Sequence, residues 1–208
     1  MNISLPGHST PAVGTEAPLE MLAACHQRVQ RQCATLQRLV PHLAAHGSDA
    51  DARSAATAVM RYFDTSARDH HADEEDDLFP ALIESMAGSD AVCLRELTQG
   101  LTQDHRQLER RWGALRAVLA QVAVGASVEL ADTDVQAFVS AYAQHIAREE
   151  AELLPMAKRL LGDAELDHVG EAMRRRRGIS LAEDEPAADA HTEPSTADPT
   201  PHPQRGPR

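Results

Sequence analysis

One phrase is written twice in this chain, and it narrows the possible folds more than any other feature. His70-His71-Ala72-Asp73-Glu74-Glu75-Asp76-Asp77-Leu78-Phe79-Pro80 returns as His145-Ile146-Ala147-Arg148-Glu149-Glu150-Ala151-Glu152-Leu153-Leu154-Pro155. Aligned on Pro80 and Pro155, both copies read H-x-x-x-E-E-x-[D/E]-L-[F/L]-P, which matches His70 to His145 and Glu74 to Glu149. On a helix, residues four apart stand one above the other on the same face. Each copy therefore sets an imidazole beside a carboxylate, a combination suited to transition metals.

The segments around the phrase have helical periodicity, and turn signals separate them. A first helix is predicted from Pro18 to about Ala45, with Pro41 kinking or breaking its last turns and Gly47 following it. A second starts near Ser48 or Asp49 and runs to about Met86, stopping at Gly88. The third runs from Ser89 or Asp90 to about Val124, and the fourth from Asp132 or Thr133 to Leu161. A shorter fifth helix spans Asp163 to about Arg177 and ends at Gly178. The expected class is all-α: an antiparallel up-down-up-down four-helix bundle with a short C-terminal helix. Residues 1–17 read as an irregular arm, 18–178 as the bundle, and 179–208, rich in Pro, Ala, Asp, Glu and Thr, as a disordered acidic tail.

Each half of this bundle supplies one more histidine, His26 from the first helix and His105 from the third. The stripe Leu19, Leu22, His26, Val29, Cys33, Leu36 lies on the first helix, and Leu94, Leu97, Leu101, His105, Leu108, Trp112, Leu115, Leu119 on the third. On the second it is Val59, Phe63, Ser66, His70, Glu74, and on the fourth Phe138, Tyr142, His145, Glu149. Core-facing stripes interrupted at matching places predict that four imidazoles and two carboxylates converge in the interior. A buried carboxylate without a partner loses several kcal/mol of hydration, roughly speaking. No core Lys or Arg pairs with Glu74 or Glu149, whereas bound cations would resolve the conflict.

His71, Asp73, Glu75 and Asp76 turn away from the His70 stripe on an ideal helix and read as a solvated acidic face. A rival register, His71 with Glu75, is disfavoured because the second copy has Ile146 where the first has His71. The basic run Arg174–Arg177 reads as cations placed at a helix C-terminus. Cys25 and Cys33 read as core residues, and the odd cysteine count suits reduced thiols in a cytoplasm. A formal charge of -12 argues against nucleic acid as a partner. Neither a membrane span nor the apolar centre of a signal peptide is present, so a cytoplasmic protein is expected.

The doubled H-x-x-x-E, each copy ending in Leu-x-Pro, with single histidines at His26 and His105, resembles the hemerythrin-like family and its H-H-E cation-binding motif. The resemblance covers about residues 18 to 161. It implies a four-helix bundle enclosing two non-haem irons, with His26, His70, His105 and His145 as terminal ligands and Glu74 and Glu149 as bridges. Oxygen-carrying members use a fifth histidine where this chain has Glu109. That residue is either a further oxygen ligand or an acid beside the site or on the surface. Iron-cluster repair proteins of related fold carry an N-terminal functional cysteine that the arm here does not contain.

Two octahedral ions offer about twelve positions, of which the six side chains and a bridging oxide or hydroxide fill all but about two. The expected function is therefore to bind or sense a small ligand, namely oxygen, nitric oxide or peroxide, with iron favoured and manganese as an alternative. A stress-response enzyme or an iron donor for damaged iron-sulfur clusters is the second expectation, and iron storage the third. The sequence names no protein partner.

Overall fold

Pro18 opens α1 (Pro18–His46) at the first turn, where its missing N–H leaves no hydrogen bond unmade. The computed structural model describes residues 17–86 and 90–179, so residues 1–16 of the expected arm, most of the expected tail, Gly88 and Ser89 lie outside the described residues. Pro41 does not break α1, which continues to His46. Leu36, Leu39 and Leu43 stay buried on either side of Pro41, so tertiary packing outweighs the one hydrogen bond that proline removes. Gly47, at φ 65°, ends the helix in a conformation that other residues rarely adopt, and its N–H bonds the Leu43 carbonyl.

The second rod is a composite. Asp49 caps α2 (Ala50–Asp64) by accepting from the Ala52 N–H at 2.9 Å. At Thr65 the backbone leaves helical geometry, and the Thr65 hydroxyl donates to the Arg61 carbonyl at 2.7 Å. Such back-bonding competes with the helical ladder and bends it. The rod resumes as α3 (Ser66–Ala72), loosens into a π-helical turn, π1 (Asp73–Leu78), and ends as α4 (Phe79–Ser85). After the long α5 (Asp90–Ala123), the fourth rod repeats the pattern as α6 (Asp132–Arg148), π2 (Glu149–Leu153) and α7 (Leu154–Leu160). The shorter α8 (Asp163–Arg176) follows, and no strand occurs among the described residues.

The four rods close into a ring: α1 touches α2 and α6, while α5 touches the same two helices from the opposite side. With short connections between successive rods, this is the expected bundle. Two apolar clusters fill it. One, at the end of the α1–α2 turn, is built around Phe63, Phe138, Tyr142, Leu36 and Leu119; the other gathers Leu22, Leu78, Leu82, Leu101, Leu153 and Met173 beneath α8. Each rod passes from one cluster to the other through a polar residue. Among the described residues, no helix is long and apolar enough to cross a membrane.

Candidate metal centre

Between the two clusters lies a closed polar layer. His26, Glu74, His105 and Glu149 are fully buried, and His70 and His145 are 2 % exposed. All six residues singled out by the repeat are brought together there, in two overlapping groups. His26, His70, Glu74 and Glu149 form one, and Glu74, His105, His145 and Glu149 form the other; within each group the candidate ligand atoms lie within 4.8 Å of one another. The two carboxylates belong to both groups, as residues lying between two centres must.

The glutamates owe their placement to the π turns. In π1 the Phe79 N–H bonds the carbonyl of Glu74, and in π2 the Leu154 N–H bonds that of Glu149, each reaching one residue further than in an α-helix. Each π turn ends just before the proline closing its phrase, where Pro80 or Pro155 in an unbroken α-helix would clash with the carbonyl four residues before it. An extra residue in the turn relieves that clash and shifts the helix face at the paired acids.

The adjacent acids are where the ideal-helix expectation fails. Glu75 is not part of a solvated face, and both it and the half-exposed Glu150 reach across to the single histidine of the other half. His105 Nδ1 donates to Glu75 at 2.7 Å, and His26 Nδ1 donates to Glu150 at 3.1 Å. These contacts hold the opposite ring nitrogens, Nε2, toward the interior, an arrangement by which carboxylates commonly orient metal-binding imidazoles. The signal is present in the sequence, because both copies carry the Glu-Glu doublet. His71 and Asp73 are corrections too, being buried at 6 % and 0 % exposure, while Asp76 is exposed as expected. Neither member of the rival pair His71–Glu75 is solvated as expected, yet the structure shows no bond between them: His71 groups with His105 and His145.

Asp73 is held by α8. Arg176 and Arg177 both bond its carboxylate, and Arg176 also reaches Asp76 and Asp77. The basic run thus does more than complement a helix dipole. Glu109 stands outside both groups, half exposed and ion-paired to Arg106 at 3.0 Å. Cys25 and Cys33 are buried core thiols, as expected, and burial pushes Cys33 up to about 12.

The inward-facing atoms fit a cation better than they fit one another. His26 Nε2 is 3.0 Å from Glu149 Oε2, and His105 Nε2 is 3.1 Å from Glu74 Oε2. His145 Nε2 lies 2.8 Å from Glu149 Oε1 and 3.1 Å from His105 Nε2. Adjacent ligands of an octahedral ion bound at about 2.1 Å are separated by about 3.0 Å. Despite this closeness, His26 Nε2 and all four oxygens of Glu74 and Glu149 are buried without a hydrogen bond. Unpaired buried polar atoms are rare in native proteins and call for an unseen partner.

Charge gives the same answer. Burial alone would lower His105, but Glu149, Glu74 and Glu75 draw it up to about 10. Burial pushes His70 down to about 3, and the neighbouring histidines add to it against the opposing charge on Glu149. Burial and the charge on Glu149 hold Glu74 well above the usual carboxylate range; on Glu149, the closeness of His105, His145 and His26 outweighs burial and holds the carboxyl well below that range. The cluster thus splits protons unevenly between matching groups, a conflict that cations between the two carboxylates would remove.

Comparison with known proteins agrees with this geometry. An uncharacterized protein of Haemophilus influenzae is 32% identical over 162 residues, covering 78% of this chain and 91% of that protein. The family model described as hemerythrin HHE cation binding domain matches residues 17–157, which include every residue of the polar layer. The chain belongs to the hemerythrin HHE cation-binding family.

Proposed function

We propose that the chain is a non-haem di-iron protein that binds or senses a small ligand, namely oxygen, nitric oxide or peroxide. The observation that carries this reading is the sharing of Glu74 and Glu149 by both ligand groups. His26 and His70 would hold one ion, His105 and His145 the other, and the two glutamates would bridge them. An all-nitrogen and oxygen donor set suits iron, or manganese, better than metals that favour thiolate. With a bridging oxide or hydroxide, about two positions stay open for a small molecule. When bound, the metal pair supplies Lewis acidity and, for iron, reversible redox chemistry.

The protein's own residues do the rest. Glu75 and Glu150 fix ring orientation, and the two apolar clusters keep bulk water from the layer. Buried, unpaired Cys25 and Cys33 suit a reducing cytoplasm. The test is metal analysis joined to optical spectra. About two irons per chain, with charge-transfer bands that change reversibly on adding oxygen or nitric oxide, are expected. Sustained turnover with a reductant would instead make the protein an enzyme, and bands inert to every small ligand would leave iron storage.

A further inference from the structure

A cleft of about 290 Å³ opens on the side of the bundle between α2–α3 and α5. Phe63, Trp112 and Tyr142 wall it, Arg68 and Glu109 stand at its mouth, and His71 lies at its inner end. The aromatic walls are tightly set, with Phe63 4.8 Å from Trp112 and 5.5 Å from Tyr142 between ring centroids. Beyond His71 comes the polar layer itself: its ring is 3.9 Å from that of His105 and 5.8 Å from that of His145.

Two features of His71 set its role. Its Nε2 is buried and has no hydrogen-bond partner, an unfavourable state unless something fills the gap. Its ring also stacks on His105, the planes only 10° apart. An imidazole lone pair lies in the plane of its ring. Two parallel rings stacked face to face cannot both direct lone pairs at one ion, so His105 and His71 cannot share a metal in this arrangement. A ring nitrogen of His71 lies within 4.8 Å of one each of His105 and His145, so the His71 edge adjoins that side of the polar layer.

We propose that the cleft is the way in for the small exogenous ligand, and that His71 donates a hydrogen bond to that ligand once it occupies the open position on the His105–His145 side. This rests on the di-iron reading above. Apolar walls admit a small neutral molecule, and a donor at the inner end favours one that carries or gains negative charge at its outer atom. His71 would thus contact the ligand without holding the metal. The second copy of the phrase has Ile146 at the matching place, so the two sides of the layer are chemically unequal despite the repeat.

Azide is a suitable probe, titrated optically into the iron(III)-loaded full chain. His71→Phe should keep the wild-type iron content while weakening azide binding roughly 10-fold or more, the effect of losing one hydrogen bond to a charged acceptor. His71→Gln, which retains an N–H donor, should recover part of the affinity. Unchanged azide affinity in His71→Phe overturns the proposal. So does loss of one iron equivalent from a folded variant, which would make His71 a ligand. A second measurement needs no variant: the infrared stretch of azide bound to the wild-type protein should shift between H2O and D2O, and absence of any shift also overturns the proposal. Wild-type protein that binds no iron would instead refute the di-iron reading on which the proposal rests.

Discussion

At the scale of single residues, this site is built by neighbours of the candidate ligands as much as by the candidates themselves. Glu74 and Glu149 face the interior, and the next residue in each phrase crosses to the other half to steady His105 or His26. Glu75→Gln and Glu150→Gln are therefore expected to weaken metal binding by about 10–100-fold each, the usual consequence of removing a carboxylate that orients a ligating histidine. Competition with a coloured chelator measures this, and exposed Asp76→Asn is the matched control. Affinity equal to wild type in both glutamine variants would show that the crossing contacts do nothing for the metal. The six residues of the polar layer are legible in the sequence because each interrupts an apolar stripe at the same level. Glu75, Glu150 and His71 are not, because an ideal helical wheel turns adjacent residues about 100° apart. In this structure His71 is buried, and Glu75 and Glu150 cross to His105 and His26.

At the scale of elements, the two π turns and α8 act together. Each π turn carries the paired acids and ends just before a proline, so both copies of the phrase depart from α-helical geometry at the same place. The break at Thr65 accompanies a side chain that competes for a backbone carbonyl. Neither is legible from apolar periodicity, which reports a long helix and is blind to one added residue. The helices themselves are legible, since long stripes at 3.6-residue spacing leave few other folds. α8 is tied to π1 by Arg176 and Arg177, whose guanidiniums compensate Asp73, a carboxylate of 0 % exposure one residue before Glu74. Replacing both arginines with alanine strands that charge and should cost about 3–5 kcal/mol of stability in urea unfolding. Adding Asp73→Asn to the double variant should restore part of the loss. A double variant as stable as wild type would mean that α8 is not held through Asp73.

At the scale of the whole molecule, the bundle is two apolar clusters separated by a layer that buries six polar side chains without enough partners among themselves. Cations that bind only the folded chain should then stabilise it. With free metal at about 100 times the dissociation constant, the gain is about 2.7 kcal/mol, or about 5–10 °C in the thermal midpoint of a domain this size. Chelation should lower the midpoint by that amount, and readdition of iron should restore it; a midpoint indifferent to metal would mean that the layer is satisfied by protein alone. The doubled phrase makes the symmetry of the layer legible in the sequence, whereas the inequality of its two sides rests on one position, Ile146 against His71, that the shared pattern passes over. The central claim, that both copies of the phrase hold metal through their histidine and glutamate, is most directly tested by counting iron per chain in wild type and in folded His70→Ala/His145→Ala. About two irons in wild type and a clear loss in the double variant are predicted, and about two irons persisting in that variant would contradict the assignment.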